Sequence, residues 1–214
     1  MLVDLHIHES TFSSDSQMNL EEIVAVARAK GLDGICITDH DSMGLKDRAE
    51  RYSIETGFPI FVGVEYYSLW GDITAWGIDD FPRERIAAQE FIDLVRAQGG
   101  FCAACHPFRN NNRGLGEHLR DVRGLDGVEV LNGSTSRQAN LKALAYGREL
   151  GLVPIGASDA HWTSQVGKYA TWLPEYVDNV MDFVRVLHGG NCRPAIWKPN
   201  GYRFADPLEA VIAA

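Results

Sequence analysis

The stretch Leu2-Val3-Asp4-Leu5-His6-Ile7-His8 decides how this chain is read. It is an apolar strand ending in two histidines spaced two residues apart, so both rings project from one face. A lone His-x-His is common on surfaces and in satisfied cores. Here related clusters recur. Thr38-Asp39-His40-Asp41, Gly63-Val64-Glu65, Cys105-His106-Pro107 and Ser158-Asp159-Ala160-His161 each follow another apolar, strand-like run. Imidazole and carboxylate together form a ligand set for Zn²⁺, Mn²⁺ or Fe²⁺. Ligands that cap successive strands can converge on one spot, which points to a multi-metal hydrolase.

Between the clusters, apolar runs alternate with amphipathic segments. Residues 19–30 read as a helix, with Leu20, Ile23, Val24 and Ala27 on one face and Gly31 past its end. Helices are also expected over 42–56, 83–98 (Pro82 at its start), 138–150 and 177–187. Strands are expected over 2–7, 34–38, 59–64, 73–78, 101–105, 128–131, 153–157, 169–173 and 192–196. Six or seven strands alternating with helices imply a parallel sheet. His8, His40, Glu65, His106 and Asp159 fall at or just beyond the C-terminal ends of strands, where α/β barrels build their sites. An open doubly wound sheet also uses strand ends, but ligands spread over five or six strands meet more easily at a barrel mouth. No GxGxxG or GxxxxGK[ST] loop is present.

Composition sets the bounds. The 214 residues suit one domain, 45% are hydrophobic and 23% charged, and the net charge is -9. That acidity disfavours a sequence-independent grip on a nucleic-acid polymer, although bound cations would offset part of it. No run reaches the ~20 apolar residues of a membrane span, and the N-terminus lacks the pattern of a signal peptide. Four cysteines in a chain of this size do not suggest a disulfide scaffold, so a reduced, cytoplasmic setting is expected.

Each cluster has a plainer reading. Glu65 ends a Val/Ile/Phe-rich strand, where a buried carboxylate is costly unless paired or metal-bound; ligation, bridging two ions, is preferred over a carboxylate that reaches solvent. Asp159 and His161 are spaced to serve two neighbouring ions, against Asp159 as a helix cap. Asp39 reads as orienting an imidazole, and Asp41 or Ser42 as capping the next helix. Cys102-Ala103-Ala104-Cys105-His106 matches the haem-attachment and redox patterns formally. The segment reads as a strand, however, with the two cysteines on opposite faces, so both are expected to be buried and His106 to be a ligand. His118 and His188 lie on expected helices without acidic company and read as surface or helix-end residues. Tyr66, Tyr67, Trp70 and Trp76 either wall a pocket or pack the core.

As a set, these motifs resemble the PHP family, the polymerase and histidinol phosphatase metal-dependent phosphoesterases. The family's order is kept in Asp4-Leu5-His6-Ile7-His8, Ile37-Thr38-Asp39-His40-Asp41, Gly63-Val64-Glu65, His106-Pro107, Gly127-Val128-Glu129-Val130-Leu131-Asn132 and Gly156-Ala157-Ser158-Asp159-Ala160-His161. The resemblance implies a distorted (β/α)7 TIM-like barrel, a single domain over 1–214, and two to three divalent ions (Zn, Mn or Fe) at the mouth. It implies that His6, His8, Glu65 and Asp159 hold a first ion. Glu65 would bridge to a second, also held by His106, and Asp15, His40 and His161 would hold a third. Two departures stand out. Many family members carry a histidine after the Glu strand, where this chain has Thr74, so the second site lacks a usual ligand and is weak, water-filled or completed by another group. The spacing from His8 to Asp15 is also one residue longer than the common pattern.

The chemistry expected is hydrolysis of a phosphomonoester of a small metabolite or nucleotide. Paired ions lower the pKa of a bound water and clamp the oxygens that gain charge, so a hydroxide held near Glu65 would attack phosphorus. Arg109, Arg113 and Lys168 are candidate phosphate-binding cations, with Arg109 first because guanidinium grips phosphate bidentately and Arg137 weaker. Asp39 or His161 would protonate the leaving oxygen. The rival readings are a phosphodiesterase or short-oligonucleotide nuclease, an amidohydrolase acting on a C–N bond, and a non-catalytic metal-binding protein.

Overall fold

The computed structural model describes residues 1–204. The expected domain over 1–214 therefore extends past the described residues. The chain runs β1 (Leu2–Ile7), α1 (Leu20–Ala29), β2 (Gly34–Ile37), α2 (Lys46–Thr56), β3 (Ile60–Tyr67), β4 (Asp72–Trp76), α3 (Ala88–Ala97), β5 (Phe101–Ala104), a 3₁₀ turn at Gly116–Arg120, β6 (Gly127–Asn132), α4 (Arg137–Leu150), β7 (Val153–Ala157), β8 (Tyr169–Trp172), α5 (Val180–His188), β9 (Arg193–Lys198) and β10 (Gly201–Phe204). Among the described residues the strands form one sheet in the order β10-β9-β8-β1-β2-β3-β4-β5-β6-β7.

The sheet curls so that β7 returns to β1, giving the distorted (β/α)7 barrel that the motifs implied. The closing seam has little backbone ladder. Ile7 bridges Ala160 in parallel, and His8 N–H donates to Ala160 O at 3.0 Å. Side chains complete the seam. Asp4, fully buried, accepts from the Ser158 N–H at 2.9 Å and the Gly167 N–H at 2.8 Å. The Thr171 hydroxyl serves both backbone groups of Gly156, accepting and donating at 2.9 Å.

The sheet is mixed rather than parallel throughout. β1, β2 and β3 run parallel, as do β5, β6 and β7, but β4 is antiparallel to both neighbours. The link from Tyr67 to Asp72 is a short turn, and a crossover back to a parallel strand needs a dozen residues or more. The beginning of β4, not its end, therefore reaches the barrel mouth. β8, β9 and β10 form an antiparallel meander on the far side of β1.

Helix starts differ from expectation at three places, α5 beginning at Val180 rather than near Val177 and α2 and α3 by more. α1 begins as expected on a capping box, with Asn19 Oδ1 accepting from Glu22 N and Glu22 Oε2 from Asn19 N. α2 begins only at Lys46, and neither Asp41 nor Ser42 caps it; Asp41 Oδ1 accepts from Tyr67 N and Ser42 Oγ from Gly44 N. α3 begins at Ala88 rather than near Arg83 because upstream backbone groups are already engaged. The Tyr66 hydroxyl donates to Glu84 O and accepts from Ile86 N, and Ile86 O accepts from Leu69 N.

α5 packs beneath the barrel. Phe183 stacks on Phe61 with ring centroids 4.5 Å apart and meets Trp76 edge-on. Phe61 and Phe101 sit at the starts of their strands and Trp76 at the end of the reversed one. This apolar cluster fills the end opposite the histidines. Among the described residues no helix is long and apolar enough to cross a membrane. Phe183→Ala should lower unfolding free energy by about 3–5 kcal/mol, read from the denaturant midpoint at constant m-value. A loss below ~1 kcal/mol would show that α5 is not integral to this core.

Candidate metal centre

β1, β3, β5 and β7, with the turns that follow them, bring His6, His8, Glu65, His106 and Asp159 to one point, and all five are buried. His6 Nε2 and His8 Nε2 lie 3.0 Å apart. Glu65 Oε2 is 3.4 Å from the first and 3.3 Å from the second, and Asp159 Oδ1 is 3.6 and 3.3 Å away respectively. A tetrahedral ion with bonds of ~2.0–2.1 Å has ligand–ligand edges of about 3.3–3.4 Å. The five edges seen among these four donor atoms, at 3.0–3.6 Å, lie close to that spacing.

Glu65 Oε2 lies 2.8 Å from His40 Nδ1, beside both β1 histidines, yet makes no well-directed hydrogen bond. A buried carboxylate oxygen ringed by three imidazole nitrogens without a proper donor suits a cation, since such an oxygen is costly to leave unmatched. The donor set therefore fits divalent metal. Glu65 Oε1 faces the other way, 2.8 Å from His106 Nε2, which is the bridging disposition expected. Asp15 Oδ2 is 3.2 Å from His40 Nε2 and 3.3 Å from His161 Nε2. The eight expected ligands thus form one connected cluster.

Backbone strain aims several of these groups. His106, Asp159 and Asp41 take positive φ (33°, 52° and 48°) just beyond strand ends. For non-glycine residues this costs on the order of 1 kcal/mol or more and persists only where surroundings enforce it.

Residues not expected as ligands hold the cluster in place. Glu129 is fully buried; its Oε1 pairs with His6 Nδ1 at 2.8 Å and its Oε2 accepts from His106 N and the Asn132 amide. The available signal was a carboxylate amid the apolar run Val128-Val130-Leu131. Ser13 Oγ lies 3.2 Å from His8 Nδ1 and donates to Asp39 Oδ1 at 2.8 Å. Asp39 thus orients His8 through a hydroxyl. It is buried and lies outside the lining of the cleft.

The thiol of Cys105 is not merely core filler, for its Sγ lies 3.5 Å from Glu65 Oε1. Cys102 turns the opposite way, towards Asp126, as a strand requires. His118 and His188 do have acidic neighbours, Asp121 at 3.0 Å and Asp126 at 3.6 Å, though both stay half-exposed and far from the cluster's contacts. Tyr66 and Trp76 pack the core, while Tyr67 lies under the Arg113 guanidinium at 4.0 Å and Trp70 stacks on His118.

The cluster forms the base of a cleft of about 620 Å³. Arg109 and Arg113 both reach it. Arg109 bonds Asp159 and Asn132, and Arg113 Nε donates to Asp72 Oδ2 at 2.7 Å. Lys168 does not line the cleft, and its Nζ donates to Gly133 O. Trp162, half-exposed, and Gln165 form part of the rim.

Charge is finely opposed in this cluster. Burial alone would push His6 down, but Asp159, Glu129 and Glu65 hold its pKa well above the usual value. His40, disfavoured by burial yet facing Glu65 and Asp15, is raised to about 9. Burial takes His8 down to about 4. Glu65 and Asp159 resist burial and are held low by the surrounding histidines. Burial and the Glu65 charge raise Asp72 to about 7.

A family model described as the PHP domain matches residues 4–148, and one described as PHP-associated matches 137–192. The chain belongs to the PHP family of metal-dependent phosphoesterases. An uncharacterized protein of Methanocaldococcus jannaschii is 27% identical over 172 residues, covering 76% of this chain and 99% of that one. A 5'-3' exoribonuclease of Haemophilus influenzae is 34% identical over 67 residues, 31% of this chain and 24% of the enzyme. Among solved structures, a two-domain protein from Bacteroides vulgatus containing a predicted PHP-like metal-dependent phosphoesterase superposes with a TM-score of 0.71 at 21% identity, covering 92% of this chain and 65% of that one. A lesion-specific endonuclease from Pyrococcus furiosus gives 0.62 at 15% identity, over 90% and 57%.

Two outcomes follow from this geometry. Because the Glu65 and Asp15 carboxylates raise His40 to about 9, loading the site should release a proton and its apparent affinity should rise as pH climbs towards 9. Calorimetry of Zn²⁺ or Mn²⁺ binding in buffers of different ionisation enthalpy reads this directly; an enthalpy independent of buffer would contradict it. Glu129→Gln should weaken metal binding by about 10–100-fold in chelator competition, because it releases His6 Nδ1.

Proposed function

We propose that this chain hydrolyses a phosphomonoester of a small metabolite or nucleotide. The observation that carries the reading is the conjunction of an eight-ligand donor cluster with two guanidinium groups in one cleft of about 620 Å³, the volume of a small-molecule site. Two to three divalent ions, bound by His6, His8, Glu65 and Asp159, by Glu65 and His106, and by Asp15, His40 and His161, would supply an activated water and neutralise phosphoryl charge. Arg109 and Arg113 then orient the phosphoryl oxygens, Arg109 from the Asp159 side and Arg113 from the Asp72 side. Glu129 and the Asp39–Ser13 pair fix the rings of His6 and His8. Asp39 is held behind Ser13 and off the cleft wall, so it is poorly placed to protonate a leaving oxygen; His161 lines the cleft and would serve as that donor only in a two-ion form, where its Nε2 is not taken by the third ion.

Residues 1–214 act as the single catalytic domain in this reading, because the stretch 137–192 supplies β7, Asp159 and α5, without which the barrel lacks its seam and floor. The buried, free cysteines fit a reducing cytoplasm. A second reading, cleavage of a phosphodiester in a short oligonucleotide, is favoured by the exoribonuclease likeness and opposed by the net charge of -9.

The test is hydrolysis of p-nitrophenyl phosphate against bis-p-nitrophenyl phosphate. Monoester turnover should dominate, vanish on chelation and return with Mn²⁺ or Zn²⁺. Dominant diester turnover would select the second reading, and activity indifferent to chelator would refute both. Arg109→Ala should raise KM and lower kcat/KM by about 10-fold or more, as expected for loss of a charge-assisted bond to phosphate.

A further inference from the structure

The second ion's position is the incomplete part of the cluster. Glu65 Oε1 and His106 Nε2 face one another at 2.8 Å. Thr74, which stands where many family members carry histidine, pairs in register with Glu65 but spends its hydroxyl on Ala103 O at 3.2 Å. It is fully buried, and it offers no imidazole.

Asp72 lies two residues earlier on β4 and so projects from the same face as Thr74. Because β4 runs backwards, its first residue is the one nearest the mouth. Asp72 is fully buried among protein atoms yet lines the cleft, with Oδ2 3.9 Å from His106 Nε2. Arg113 Nε holds Oδ2 at 2.7 Å, while Oδ1 has no hydrogen-bond partner. The Arg113 carbonyl in turn accepts from the Asp72 N–H. This contact is possible because Gly71 lets two backbones touch; a Cβ there would meet Gly114 C at 2.6 Å and Arg113 O at 2.8 Å. A carboxylate this confined, with one oxygen anchored and the other unmatched, is a costly arrangement unless something positive is meant to sit beside it.

We propose that Asp72 takes the place left open by Thr74 and completes the second ion's ligand set with Glu65 and His106, held in place by Arg113. The inference rests on the phosphoesterase reading above and specifies one of its sites. It also couples that ion to phosphate recognition, since the guanidinium that steadies the ligand is one of the two that face the substrate. Cys105 is the competing candidate, its Sγ 3.5 Å from Glu65 Oε1. Its thiol lies outside the cleft lining, and a carboxylate with imidazole suits Mn²⁺ or Fe²⁺ as well as Zn²⁺, whereas thiolate would narrow the choice to softer metal.

Elemental analysis of protein loaded with Zn²⁺ or Mn²⁺ and freed of excess metal tests this. Asp72→Asn should lose about one ion per chain relative to wild type, and Cys105→Ser should lose none. Unchanged metal content in Asp72→Asn, or loss in Cys105→Ser alone, would overturn the assignment. Should Asp72→Asn fail to fold, the anomalous signal of a Zn²⁺-soaked wild-type crystal decides. A peak within about 2.0–2.2 Å of an Asp72 oxygen supports the proposal, and peaks at the other two groups without one at Asp72 defeat it while leaving the phosphoesterase reading intact. A cleft that takes up no ion at all would defeat both.

Discussion

Everything in this fold answers to the burial of acid. Glu65, Glu129, Asp159 and Asp72 are all shut away from water within a few ångströms of shared partners. Leaving one such charge uncompensated costs about 3–5 kcal/mol. The chain meets that demand with imidazoles and guanidiniums drawn from along its length. His6 comes from the first strand, His106 and Arg109 from beyond β5, and His161 from beyond β7. The demand for positive charge is also what recruits divalent cations, so the same electrostatics that threaten stability create the site.

The barrel makes this gathering possible. Parallel strands deliver their C-terminal ends to one mouth, and positive-φ residues at His106 and Asp159 bend side chains inward where a strand alone would carry them past. Closure depends on Asp4 and Thr171, whose side chains stand in for ladder bonds between β7 and its neighbours. Asp4 belongs to the motif that carries His6 and His8. One short segment therefore both carries two of the candidate ligands and closes the ring.

Much of this was legible in the sequence. The ligands could be found because His and acidic residues interrupt apolar runs at strand ends, a pattern with a direct physical cause. Glu129 lies inside one of the family-like motifs, yet its role is hidden, because a single acid inside Val128-Val130-Leu131 looks like any strand residue until its partner, His6, is seen from 123 positions away. Asp72 escaped for a different reason. Ligands are expected at the C-terminal ends of strands, whereas the reversed β4 presents its beginning to the mouth. The late start of α3 was hidden because Tyr66, far upstream, claims the backbone that a helix would have used. Lys168 shows the converse error, a cation close to a ligand in sequence whose carbonyl partner on Gly133 holds it outside the cleft.

The aromatic floor formed by Phe61, Trp76, Phe101 and Phe183 has a consequence for traffic. It seals the barrel at the end remote from the histidine cluster, so the cleft is a cul-de-sac with one doorway. Whatever molecule is admitted must back out past Trp162 and Arg109 before the next can enter. Arrival and departure are therefore bound to take turns.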